Sequence, residues 1–145
     1  LIRKAKPSDI PAIVELAVES VSRNPLPLKI NRQSMVNMLT QGISCSADFV
    51  WVGEVDGVVK ACVAAKTGNG FWFERQQSSV CMFYTKTPGL GIELLREYAR
   101  WVKSRPSIKL AIFSLEPDAD PRLAKLLQRL GFGLQTQSLT FCRGL

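Results

Sequence analysis

The sequence predicts a single α/β domain, and three observations carry that prediction. Hydrophobic residues switch repeatedly between the helical i, i+3, i+4 pattern and short strand-like runs. Glycine, proline and Asp-Gly turn signals separate these segments, with no linker between them. At 145 residues, with 46% hydrophobic and 21% charged side chains, the chain has the length and composition of one globular domain. No repeat or low-complexity tract divides it, so residues 1–145 are expected to form one unit.

Residues 2–5 read as a short first strand, ended by Pro7. Ser8 is placed to cap a helix whose first turn accommodates Asp9 and Pro11. Ile10, Ile13, Val14, Ala17, Val18 and Val21 form its apolar face, and Asn24-Pro25-Leu26-Pro27 breaks it. A shorter helix is expected over 32–40, with Met35, Met38 and Leu39 inward. The period then changes. Residues 49–55 and 58–66 are strand-like, and Asp56-Gly57 between them is a two-residue hairpin turn. Gly68-Asn69-Gly70 reads as another turn, followed by Phe71-Trp72-Phe73, while 74–79 fits strand or loop equally. Residues 80–84 form an apolar run suited to a buried central strand. After the turn Lys86-Thr87-Pro88-Gly89-Leu90-Gly91 comes a helix carrying Leu94, Leu95, Tyr98, Trp101 and Val102, closed by Pro106. Residues 108–115 are a second buried-strand candidate. A helix from about Ala119 carries Leu123, Leu126, Leu127 and Leu130, with Gly131 ending it. Residues 132–142 read as a final strand or pair of strands.

Composition excludes several chemistries. With no histidine, His-ligated metal sites, Ser-His-Asp and Cys-His catalysis are out, and no metal is expected. Acid–base work falls to Glu, Asp, Tyr, Lys or water. Cys45, Cys62, Cys81 and Cys142 form no Cys-x-x-Cys pair and are expected reduced, packed as small apolar residues. No apolar run approaches the ~20 residues of a membrane span, so no membrane partner is expected and the chain reads as cytoplasmic. Nineteen Lys+Arg against 12 Asp+Glu give a net charge of +7, which favours anionic partners.

The most informative segment is the strand–turn–helix over 80–102. Such a junction turns unpaired N–H groups and the positive end of a helix dipole toward one spot, an anion site, and glycine lets an anion approach the main chain. Lys86 adds positive charge, whereas Pro88 removes one donor. A Walker A loop is excluded because no Gly-Lys pair exists, and a dinucleotide fingerprint because Leu94 stands where a third glycine would be. The two glycines are otherwise explained by a tight turn alone.

The order β-α-α-β-β-β-α-β-α-β together with Lys86-Thr87-Pro88-Gly89-Leu90-Gly91 resembles the GNAT superfamily of acyl-CoA-dependent N-acyltransferases, whose signature at this turn is Arg/Gln-x-x-Gly-x-Gly/Ala. Gly89 and Gly91 match, and Lys86 replaces Arg or Gln. Leu126-Leu127-Gln128-Arg129-Leu130-Gly131-Phe132 matches the family's Gly-Phe ending of the last helix. The resemblance implies a mixed, mostly antiparallel central sheet of about six or seven strands flanked by four helices, with a splayed parallel pair in the middle. It implies acetyl-CoA as cosubstrate, an amine as acceptor and direct acetyl transfer. Met82, Phe83 and Tyr84 would contact the pantetheine arm, a main-chain N–H near Met82–Phe83 would polarise the thioester, and Lys86, Thr87, Pro88, Gly89, Leu90 and Gly91 would hold the pyrophosphate.

One departure matters. Many family members protonate the leaving thiolate with a tyrosine on the last helix, and that position is Leu127 here. Tyr84 and Ser114, at the ends of the two expected cofactor strands, are the replacement hydroxyls. Glu54, Glu74 and Glu116 are the candidate bases, with Glu116 ranked first. Trp51, Phe71, Trp72 and Phe73 fill the core or wall an acceptor pocket; three consecutive aromatics cannot all face one side of a strand. Two further functions stay open: a non-catalytic module of the same fold, and a small basic nucleic-acid binder. The scattered basic residues speak against nucleic acid as a partner. The acceptor would meet residues 26–42 and 68–79, and a homodimer is left open.

Overall fold

In a computed structural model of the chain, which describes residues 1–23, 26–70 and 76–144, five strands form one open sheet in sequential order. The elements are β1 (Ile2–Lys4), a 3-10 turn (Pro7–Asp9), α1 (Ile10–Ser22), α2 (Arg32–Ser44), β2 (Phe49–Val55), β3 (Val58–Asn69), β4 (Gln76–Thr85), α3 (Pro88–Lys103), β5 (Ile108–Phe113) and α4 (Pro121–Arg129). β1 through β4 pair antiparallel, and β5 lies parallel to β4.

Strand alternation divides the apolar residues between two cores. On one face, Val50, Val52, Cys62 and Ala64 pack under Ile13 and Leu16 of α1 and Leu39 of α2. On the other, Phe49, Ala61, Val63 and Ala65 pack under Leu90, Leu94 and Tyr98 of α3. β2 and β3 are apolar at successive positions because helices cover both their faces. Asp56 and Gly57 take φ of 51° and 78°, the left-handed pair that a two-residue hairpin requires.

Before α1, Asp9 rather than Ser8 organises the chain. Its Oδ2 accepts the Lys6 N–H at 2.7 Å, and its two oxygens take Arg3 Nη1 and Nη2 at 2.7 and 3.0 Å. Arg3 also donates to Glu54 at 3.1 Å, tying β1, the entry to α1 and the end of β2 together. Hydrogen bonding to Arg3 holds the Asp9 carboxyl below the usual carboxylate range.

The sheet departs from expectation in three places. β3 runs on through Gly68 and Asn69, which pair with Gln77 and Gln76, so the expected turn and the ambiguous 76–79 segment are strand. Five strands are present among the described residues, not six or seven, because 133–144 joins no sheet. The parallel pair consequently lies at an edge, not in the middle. That exposes Leu110, Ile112 and Leu115, which the apolar run at 108–115 led us to expect buried. The expected break at Asn24-Pro25 and the aromatics Phe71, Trp72 and Phe73 lie outside the described residues. No described helix is long and apolar enough to cross a membrane.

Candidate functional site

β4 and β5 stay together for only part of their length. Their ladder runs from Gln76↔Ile108 to Val80↔Phe113 and stops, while β4 continues five residues to Thr85. The cause is local. Val80 pairs with Ala65 and Met82 with Ala64, so Cys81 is an extra residue, a bulge that twists the strand away from its neighbour. The Cys81 thiol, exposed rather than packed, donates to the Ala64 carbonyl at 3.2 Å. Beyond the bulge, Lys86 N–H donates to the Lys60 carbonyl of β3. Strand alternation therefore turns the main-chain groups of Phe83 and Thr85 the other way, into the gap that β5 has left. The Phe83 and Phe113 rings meet edge-on at 5.6 Å and floor this gap on the α3 side.

The gap opens at the hairpin end of the sheet, where α3 begins. Four of the donors expected there are used internally. Lys86 N–H bonds Lys60, Thr87 N–H bonds Thr85 Oγ1 at 3.0 Å, and Leu90 and Gly91 N–H both bond the Thr87 carbonyl. Thr85 Oγ1 returns a bond to the Thr87 carbonyl at 2.5 Å. The Gly89 N–H remains, at the positive end of the α3 dipole. Neither glycine of the turn has positive φ, so a tight turn does not explain them. A Cβ at Gly89 would meet nothing within 4 Å, whereas one at Gly91 would strike Thr85 Cγ2 at 2.7 Å and approach Phe83 at 3.3 Å. Gly89 leaves the cradle open, and Gly91 lets α3 sit on β4.

Tyr84 is half-buried on the α1 side, with the Arg23 guanidinium 5.8 Å from its ring centre. Ser114 directly follows Phe113, the register partner of Val80, and so stands near the level of the bulge; both Ser114 and Glu116 are exposed. Tyr84 and Ser114 thus sit at the same end of parallel strands, Tyr84 nearer the cradle. Glu54 is no candidate base: it lies on β2, two strands from the gap, bonded to Arg3. Glu74 lies outside the described residues. Leu127, where the family tyrosine would stand, is buried, so α4 offers no acid there. Trp51 stacks on Phe49 at 5.4 Å and belongs to the core, not to a pocket wall.

Three features were not read from the sequence. Lys86 is bound through Nζ to Glu19 of α1 at 3.1 Å, across a separation that leaves no local signal. Tyr98 is wholly buried, its hydroxyl 2.7 Å from Ser78 Oγ, and burial raises its pKa, which fits a structural role. Asp48 carries a nearly buried carboxylate that takes the Thr67 N–H at 2.9 Å and Lys66 Nζ at 3.0 Å. The pair borders a shallow surface depression shared with Met38, Gly42 and Cys81 on the α2 side of the bulge.

No family model matches the chain, and no curated protein matches it in sequence. Solved structures do match. A protein from Clostridium acetobutylicum, described as a predicted acetyltransferase and solved with acetyl-CoA, superposes with a TM-score of 0.72 at 15% identity, covering 97% of this chain and 94% of that one. The aminoglycoside acetyltransferase meta-AAC0020 from an uncultured soil metagenomic sample, solved with sisomicin, gives 0.68 at 10% identity, over 100% and 95%. A protein from Bacillus halodurans C-125 described as a transcriptional regulator gives 0.71 at 14%, over 97% of each chain. At such identities the likeness is one of fold, a fold this chain shares with solved proteins described as acetyltransferases.

Proposed function

We propose that the chain transfers the acetyl group of acetyl-CoA directly to an amine. The observation that carries this reading is the early end of the β4–β5 ladder, which leaves main-chain groups of Phe83 and Thr85 unpaired by β5 beside the open N-terminus of α3. The pantetheine arm would lie against Met82, Phe83 and Tyr84 as a substitute strand. The pyrophosphate would rest on the turn at 86–91, with Gly89 supplying the donor and Lys86 turning from Glu19 to the phosphates. An exposed pair of this kind is worth about 0–1 kcal/mol, so a dianion can outcompete Glu19.

The chemistry needs a neutral amine, a polarised carbonyl and a proton for the leaving thiolate. The amine nitrogen attacks the carbonyl carbon, the Phe83 N–H stabilises charge on its oxygen, and the C–S bond breaks. The nitrogen's proton passes to Glu116, directly or through water, and the thiolate takes one from Ser114 or Tyr84. The acceptor approaches from the α2 side of the bulge.

A second reading, a non-catalytic module of the same fold, draws on two observations: buried Leu127 replaces the usual acid, and Thr85 already occupies the Thr87 N–H. Calorimetry with acetyl-CoA separates them. Micromolar binding that a Gly89→Val substitution abolishes, in a protein with an unchanged melting temperature, supports the acyltransferase. No binding of acetyl-CoA or CoA by the unsubstituted chain leaves the module. An amine screen with thiol-release detection then identifies the acceptor.

A further inference from the structure

Asp48 lies in the short connection between α2 and β2, and its side chain is only 4% exposed. Its two oxygens have different partners. Oδ1 accepts the Thr67 N–H at 2.9 Å, a bond that fixes the connection to β3. Oδ2 takes Lys66 Nζ at 3.0 Å, and the Lys66 side chain is 39% exposed. A carboxylate withdrawn from water needs a counter-ion. Here the chain supplies it from a flexible stem that solvent reaches. Lys66 is thus a primary alkylammonium on a methylene chain, and another primary amine can take its place by exchange, one ion pair broken and one formed. The surroundings suit such a chain. Met38, Leu39, Val50 and Ala64 line the depression beside the pair, and methylenes gain by covering surfaces of this kind. Gly42 borders the carboxylate: a Cβ there would lie 3.8 Å from Oδ2 and strike Val50 Cγ2 at 2.9 Å, so no side chain closes that side. Cys81, the bulge residue, lines the same depression, which therefore adjoins the point where the β4–β5 ladder stops.

We propose that Asp48 anchors the acceptor and that the acceptor is an aliphatic diamine: one ammonium displaces Lys66 from Oδ2, and the chain runs across the depression toward Cys81. The released Lys66 ammonium turns to solvent. An amine held against a carboxylate stays protonated and cannot attack a thioester. The attacking nitrogen is therefore a second, neutral amine further along the chain, which a monoamine lacks. It forms the C–N bond as the C–S bond breaks, and its proton leaves as described above. The ammonium site stands on the geometry of Asp48, whereas acetylation of the second amine rests on the acyl-CoA reading.

Calorimetry with cadaverine, the lysine side chain with an amine at each end, tests the anchor without acetyl-CoA. The full chain is compared with Asp48→Asn and Lys66→Met. Asparagine keeps an oxygen for the Thr67 N–H and methionine keeps an unbranched stem, and melting curves check that both variants fold. The anchor predicts that Lys66→Met binds cadaverine about tenfold more tightly than the wild type, because the internal competitor is gone, and that Asp48→Asn loses binding. Affinity unchanged or weakened in Lys66→Met makes the ion pair purely structural and overturns the anchor, as does binding retained by Asp48→Asn. Thiol release from acetyl-CoA then tests the diamine: cadaverine is turned over, and pentylamine, with a single amine, inhibits. Equal turnover of the two amines overturns the diamine requirement. No acetyl-CoA binding by the wild type, with the cadaverine affinities in the expected order, overturns the acyl-CoA reading and leaves the ammonium site standing.

Discussion

Gly89 and Gly91 stand two residues apart and answer to different constraints. Gly91 faces Thr85 and Phe83, and a methyl there must push α3 off β4; Gly91→Ala is expected to cost about 1–3 kcal/mol, read from the denaturant midpoint. Gly89 faces open space, so Gly89→Val is expected to leave stability within about 0.5 kcal/mol while removing acetyl-CoA binding. A third residue carries the acid side of the stability curve. The Asp9 side chain is only 8% exposed, and its bonds to Arg3 lower its folded pKa. The unfolded chain therefore binds the extra proton on acidification: the stabilisation is complete above the ordinary carboxylate pKa, near 4, and is lost as pH falls through the depressed value. Asp9→Asn should cost about 2 kcal/mol at pH 7 and flatten the fall in melting temperature below about pH 4.

Among the elements, α3 and β4 form the unit on which the site depends. The Ser78–Tyr98 hydrogen bond sits in the wholly buried part of their interface. Ser78→Ala would strand the Tyr98 hydroxyl away from water, and we expect a loss of about 1–3 kcal/mol in urea unfolding. Most of these elements were legible in the sequence. Ile10, Ile13, Val14 and Ala17 of α1, the Asp56-Gly57 hairpin and Leu94, Leu95 and Tyr98 of α3 follow from periodicity and turn chemistry, both local properties. The elements that misled were those whose state depends on a neighbour. Residues 108–115 and 133–142 are strand-competent, yet the first is exposed at Leu110, Ile112 and Leu115 and the second forms no strand.

At the scale of the whole molecule, the formal charge of +7 predicts that, on the proposed reading, binding of acetyl-CoA with its several phosphates weakens severalfold between ~50 and ~200 mM salt, as calorimetry at two ionic strengths would show. The geometry of the candidate site was half legible. The turn at 86–91 was visible because its glycines, lysine and flanking elements are contiguous. The partners that qualify it were not: Glu19 on Lys86, Arg3 on Glu54 and Arg23 over Tyr84 all join residues remote in sequence. Of the carboxylates considered as a base and described, only Glu116 is left without a structural ion pair.

From its residue order alone the chain determined its helices, its hairpin and the glycine turn between a strand and a helix, because local sterics and hydrophobic spacing dictate each. Tertiary structure decided the rest: the bulge at Cys81, the early end of the β4–β5 ladder and the division of labour between the two glycines. These depend on which backbone comes to lie beside which, and a strand's own sequence does not record where its neighbour stops.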